Sequence, residues 1–120
     1  MKSPFKLDKA EIEKILKEID FEKMGGLLPV VTQEYSTQQV LMQAFMNREA
    51  LKLTLKTGKV HYWSRSRGKL WRKGETSGHE QILIDAILDC DQDALLLKVK
   101  QVGICCHTGA ETCFHNPIKS

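Results

Sequence analysis

What this chain lacks narrows its functions first. No stretch approaches the roughly 20 consecutive apolar residues of a membrane span. The opening MKSPFKLDKAEIEKILKEID holds no continuous apolar core of the secretory kind. A cytoplasmic protein with reduced cysteines and no membrane partner is therefore expected. A net charge of +3 is too mild for the concentrated basic stripe of a nucleic-acid binder. Without repeats, low-complexity tracts or linkers, residues 1–120 read as one domain, with 1–25 as an N-terminal helical extension. There is no P-loop, no dinucleotide fingerprint and no pair of CxxC knuckles.

What is present reads as an α+β domain, a small mostly antiparallel sheet with flanking helices. Asp8 and Glu11 have capping-box spacing, and Ile12, Ile15, Leu16 and Ile19 form one apolar stripe, which predicts a helix over 8–20. Strands are expected at 28–34 and 39–45 around the turn-like Tyr35-Ser36-Thr37. Asn47 can cap a second helix that Gly58 stops. A hairpin of 60–64 and 70–72 follows, turning at Arg67-Gly68, then a Gly-rich loop over 74–78. The strands 82–89 and 94–102 are rich in Ile, Leu and Val, and the chain from Gly103 is irregular.

That irregular tail carries three of the four cysteines. ICCHTGAETCFH places Cys106, His107, Cys113 and His115 in one polar loop. Zinc takes thiolate and imidazole ligands, and a catalytic site leaves one position open. Cys105, beside Ile104, reads instead as a small buried hydrophobe. Cys90 could reach the ion from a neighbouring strand. A structural site of Cys90, Cys106, Cys113 and a histidine stays open on this reading.

DCDQD interleaves Cys90 with the carboxylates of Asp89, Asp91 and Asp93. Extended backbone would send the three acids to one side and Cys90 to the other. Such a cluster is either a solvated acidic turn or a seat for a hard cation such as magnesium, and the apolar strands on both flanks favour the second. The glycine and glutamate of an EF-hand loop are missing.

HYWSRSRGKLWRKGETSGH alternates aromatics with cations and ends in hydroxyls and glycines. Arg, Lys and the amides of a Gly/Ser/Thr loop suit phosphate oxygens. Aromatic faces suit a purine. The competing reading is an edge hairpin defended by positive charge, with Trp63 and Trp71 in the core.

YWSRSRGKLWRKGETSGH, DCDQDALLLKV and CHTGAETCFH, in this order and at these separations, resemble the phosphoribosyl-AMP cyclohydrolase family of histidine biosynthesis. The resemblance runs from about Leu28 to Phe114. It implies a hydrolase that opens the adenine ring of a phosphoribosyl-AMP substrate at N1–C6, and an intertwined α+β homodimer. It also implies one zinc per subunit shared across the dimer, on Cys90, Cys106 and Cys113, and magnesium on Asp89, Asp91 and Asp93. His107 becomes the candidate proton shuttle. Trp63, Ser64, Arg65, Ser66, Arg67, Lys73, Glu75, Thr76, Ser77 and His79 become the candidate substrate contacts. The chain stops soon after the last motif, so a monofunctional protein is expected. The alternatives are a zinc-stabilised nucleotide-binding module and another zinc-dependent nucleobase hydrolase or deaminase, although the HxE…PCxxC deaminase signature is missing.

Overall fold

The computed structural model describes residues 2–119. Local signals set its helices. Helix α1 (Lys9–Glu18) opens on a complete capping box: Glu11 N–H donates to Asp8 Oδ1 at 2.8 Å, and Asp8 N–H to Glu11 Oε1 at 3.3 Å. It ends sooner than its apolar stripe, because Ile19 is already extended (φ −90°, ψ 134°). Helix α2 (Arg48–Thr57) starts where Asn47 Oδ1 accepts from Ala50 N–H. It stops at Gly58, whose φ of +74° is left-handed and whose N–H returns to Thr54 O. A single 3-10 turn, Glu22–Met24, joins α1 to the sheet.

Six strands follow the alternation of the sequence: β1 (Leu28–Glu34), β2 (Val40–Met46), β3 (His61–Ser64), β4 (Lys69–Arg72), β5 (Gln81–Leu88) and β6 (Leu95–Gln101). Their order is β4-β3-β2-β1-β6-β5. Four of the five neighbouring pairs are antiparallel, as expected from the sequence, and the parallel β1–β6 pair makes the sheet a mixed one. The sheet then curls on itself. Val60 N–H donates to Gln81 O at 3.0 Å and Leu83 N–H to Gly58 O at 2.8 Å, so β5 meets the segment entering β3.

Inside the curl lie Leu28, Val30, Leu41, Met46, Tyr62, Leu83, Leu97 and Val99, all fully or almost fully buried. Ile12 and Leu16 of α1, with Ile19 and Phe21 beyond it, belong to the same core. Among the described residues no helix is long and apolar enough to cross a membrane.

The core also contains polar side chains. Tyr62 O–H donates to Gln81 Oε1 (2.6 Å), and Gln81 Nε2 donates to Gln101 Oε1 (2.9 Å). The phenol has one proton, so the 2.7 Å contact between Thr32 Oγ1 and Tyr62 Oη runs from threonine to tyrosine. Burial pushes the Tyr62 phenol far above its ordinary range, keeping it a neutral donor. Removing the hydroxyl strands a buried Gln81 oxygen, so Tyr62→Phe is expected to cost about 1–3 kcal/mol in denaturant unfolding. A change below a few tenths of a kcal/mol would show that this chain carries no stability.

Candidate active site

Curling the sheet brings two loops face to face. One is the basic Gly-rich loop between β4 and β5, and the other is the cysteine loop after β6. Between them lies a cavity of about 410 Å³, lined by Arg67, Trp71, Arg72, Lys73, Gly74, Glu75, Thr76, Ser77 and His79 on one rim and by Ile104, Cys105, Cys106, His107 and Gly109 on the other. The rims touch. Lys73 Nζ donates to Cys105 O at 2.5 Å, and the His79 ring packs over Gly103. A Cβ on Gly103 would lie 2.5 Å from His79 Cδ2, and φ there is +72°, so both space and backbone call for glycine.

The cations are not equally free. Arg72 Nη1 pairs with Glu80 at 3.2 Å. Arg67 and Lys73 make no salt bridge among the described residues and are the two available to an anion. Of the ten substrate contacts expected from sequence, Arg67, Lys73, Glu75, Thr76, Ser77 and His79 line the cavity; Trp63, Ser64, Arg65 and Ser66 do not. Trp63 sits opposite Leu70 and Phe45 in the strand register. The Arg65 guanidinium lies 4.0 Å over the Phe45 ring. Ser64 Oγ accepts from Arg67 N–H at 3.2 Å and lies 3.3 Å from Ser66 Oγ, closing the hairpin turn. Trp71 is the aromatic residue on the cavity, its ring centroid 5.2 Å from that of Tyr62. Strand phase could have separated the two tryptophans, since Trp71 pairs with the buried Tyr62.

The thiols differ in chemistry. Thr108 Oγ1 donates to Cys106 Sγ at 3.0 Å, helped by the Thr108 amide and by His115, whose Nε2 is 3.7 Å away. These donors pull the Cys106 thiol down to about 6. Cys113 is pushed up, first by burial and then by the nearby Cys106. Its loop is pinned to β2 by Cys113 N–H to Leu41 O (2.7 Å) and by Thr112 Oγ1 to Val40 O (2.7 Å). Cys105 is buried in the core, as its apolar neighbour suggested, and burial pushes its thiol up to about 12.

The DCDQD segment departs from the extended geometry on which the alternation argument rested. It is a tight turn between β5 and β6, and β5 ends at Leu88. Asp89 N–H donates to Ala94 O, Gln92 N–H to Asp89 O, and Gln92 takes a φ of +60°. The cause is Asp89 itself, whose Oδ1 accepts from the amides of Asp93 (3.0 Å) and Ala94 (3.3 Å). Asp93 Oδ2 pairs with Lys23 at 2.5 Å, which holds its carboxyl below the ordinary range. Asp91 and Cys90 are exposed.

This turn and the thiol loop lie at opposite ends of β6. Six residue steps of about 3.3 Å put them about 20 Å apart along that strand. Among the described residues, no three His, Cys, Asp or Glu side chains group to hold a metal ion. One chain therefore brings Cys106 and Cys113 together and leaves Cys90 distant.

A small α+β protein that sets phosphate-seeking cations against a reactive thiol and two histidines has the equipment of a nucleotide-processing enzyme. The comparisons make the class specific. The family model for phosphoribosyl-AMP cyclohydrolase matches residues 42–115. The phosphoribosyl-AMP cyclohydrolase of Streptococcus mutans is 56% identical over 100 residues, covering 83% of this chain and 92% of that protein. That of Cenarchaeum symbiosum is 52% identical over 107 residues, covering 89% and 99%. The histidine biosynthesis bifunctional protein of Thermoanaerobacter pseudethanolicus is 55% identical over 107 residues, 89% of this chain but 49% of that protein, so the chain spans about half its length. The chain belongs to the phosphoribosyl-AMP cyclohydrolase family.

The thiol geometry can be tested without substrate. In chelator-treated protein, alkylation of Cys106 by iodoacetamide should rise through a midpoint near pH 6, read by peptide mass spectrometry. A lowered thiol pKa means thiolate above that pH and thiol below it, and Thr108→Val should move the midpoint up toward about 8.5. An unmoved midpoint would show that the Thr108 hydroxyl does not tune this sulfur.

Proposed function

We propose that the protein opens the adenine ring of N1-(5-phosphoribosyl)-AMP by hydrolysis of the N1–C6 bond, a step of histidine biosynthesis. The observation that carries this is the single cavity in which Arg67, Lys73 and the Gly74–Gly78 loop face Cys106 and His107. The substrate carries two phosphate monoesters, which the free cations and loop amides can hold by charge-assisted hydrogen bonds. The Trp71 face is the aromatic surface available to the base.

The chemistry forms a water-oxygen bond to C6 and breaks C6–N1, with a proton delivered to N1. C6 keeps its exocyclic nitrogen and becomes a carboxamide carbon, so no ammonia leaves. His107, on the rim beside Cys106, takes the proton from water and returns it to N1; such general acid–base work is worth about 10²–10⁴-fold. Cys106, Cys113 and Cys90 of the partner subunit would hold zinc, and their donor set suits it. The ion would supply water acidic enough to attack at neutral pH. Asp91, with the free oxygens of Asp89 and Asp93, would hold magnesium, which commonly uses one or two carboxylates alongside waters and substrate phosphates.

This ligand set calls for a homodimer, because within one chain the turn that carries Cys90 and the loop that carries the other two thiols lie at opposite ends of β6. An apolar surface of Val31, Ile87, Leu88 and Leu96 borders Asp89, with Val31 and Ile87 well exposed; it offers a contact face beside the turn that carries Cys90.

Two experiments test the proposal. Purified protein given phosphoribosyl-AMP should form the ring-opened product and lose activity to a chelator; ammonia released from AMP would indicate a deaminase instead. Cys90→Ser and Cys113→Ser chains, each inactive alone, should recover activity when unfolded together and refolded. Random pairing makes half the dimers mixed and leaves about a quarter of all sites intact. No recovery, with mixed dimers shown to be present, would place all ligands on one chain.

A further inference from the structure

Beside the Lys73–Cys105 and Val102–Glu80 hydrogen bonds, the two rims of the cavity are tied by a buried side chain that the mechanism does not use. Gln101, the last residue of β6, has its carboxamide among four backbone carbonyls. Nε2 lies 3.2 Å from His79 O and 3.5 Å from Glu80 O on the basic-loop side. On the other side it lies 3.1 Å from Val102 O and 3.4 Å from Ile104 O. Two N–H groups are thus shared by four acceptors drawn from both rims. The backbone around Gln101 is also held, since its N–H donates to Glu34 Oε1 at 3.0 Å.

A glutamine amide can turn over, and turned the other way it would set an oxygen against those carbonyls. The four carbonyls, which can only accept, exclude this, and the donors of the core chain run to meet the Gln101 oxygen. Thr32 donates to Tyr62, Tyr62 to Gln81 Oε1, and Gln81 Nε2 to Gln101 Oε1. With the NH₂ group of Gln101 on those carbonyls, its Oε1 faces the core and accepts the last donor of this chain. Thr32, Tyr62 and Gln81 are fully buried and Gln101 is nearly so, which keeps water from substituting for any link.

We infer that Gln101 is a positioning residue: its carboxamide, donating to carbonyls of both rims and braced from behind by the Thr32–Tyr62–Gln81 chain, sets the distance between the His79 rim and the Cys106–His107 rim. This goes beyond the proposed reaction and rests on it only in reading the cavity as the substrate site. A substrate held by cations on one rim and attacked from the other depends on that spacing, and misplacement by about 1 Å can cost about 10²-fold.

The test uses Gln101→Glu, which keeps the shape and the acceptor for Gln81 but offers the carbonyls no amide donor. The control is Leu16→Ala, a core truncation in α1 away from the cavity that also lowers stability. In Gln101→Glu the kcat for phosphoribosyl-AMP should fall about tenfold or more, with KM rising less. In chelator-treated Gln101→Glu, alkylation of Cys106 should quicken about tenfold as the rims part. Leu16→Ala should change both by less than about twofold, whatever its melting temperature. If Gln101→Glu fails to fold by circular dichroism, Tyr62→Phe carries the test, because it removes the donor that holds Gln81 against Gln101 and should shift both readouts the same way, by less. Unchanged kcat and unchanged alkylation in the folded variant would overturn the inference, as would an equal response from Leu16→Ala. A wild-type protein with no turnover, but with the alkylation difference intact, would remove the proposed function and leave the clamp standing.

Discussion

The structure depends on the closure between β5 and the strand entering β3. The order β4-β3-β2-β1-β6-β5 puts the basic hairpin on one edge and the β5–β6 pair on the other. In a flat sheet the five intervals of about 4.8 Å would hold those edges about 24 Å apart. The bonds Val60 N–H to Gln81 O and Leu83 N–H to Gly58 O make the edges neighbours instead. Gly58 serves twice, since its left-handed φ ends α2 and its carbonyl accepts the closing bond. A Cβ there would lie 2.3 Å from the Ser3 Cβ, so the N-terminal segment is packed onto the same seam.

Closure explains why polar residues sit in the core. Where two sheet edges meet, alignment matters more than adhesion, and apolar contacts are indifferent to direction. A chain of hydrogen bonds is directional, and a fully satisfied one adds specificity at little net cost. Glu34 anchors its upper end. Burial would raise this carboxyl, but the amides of Ser36 and Gln101 outweigh burial and hold it below the ordinary carboxylate range. A lowered folded-state value means that its stabilisation is present above the unfolded value near 4.3 and is lost as pH falls below it. At neutral pH the anchor is therefore charged and complete.

The sequence reading reached as far as local physics does. Asp8 with Glu11, and Asn47 with Gly58, act within one turn of chain, so both helices were legible to within two residues. The strands followed their period, each boundary within a residue or so. Sheet order, the parallel β1–β6 pair and the closure come from contacts distant in sequence, and no motif encodes them. At DCDQD the alternation rule lost to turn chemistry, because the Asp89 side chain bonds its own downstream amides. A glutamine at a strand end reads as solvent-facing, so composition alone does not mark Gln81 and Gln101 as core residues. Gln101 nonetheless shares the inward phase of Leu95, Leu97 and Val99, and that phase was a usable signal.

The separation of the two ends carries one more consequence. The thiol pair, the cations and the histidines collect at one end of β6, and Cys90 with the acidic turn at the other. The turn is held there by the segment after α1, through Asp20 N–H to Gln92 O and the Lys23–Asp93 pair. No loop motion inside a curled sheet this tightly bonded brings Cys90 across that length. Under the proposed shared ligand set, a lone chain holds two of three thiolates and cannot complete the site. Metal loading and dimer formation then become linked equilibria, because whatever binds only the assembled pair stabilises the pair. Zinc would hold the dimer together, and the dimer would in turn raise the affinity for zinc.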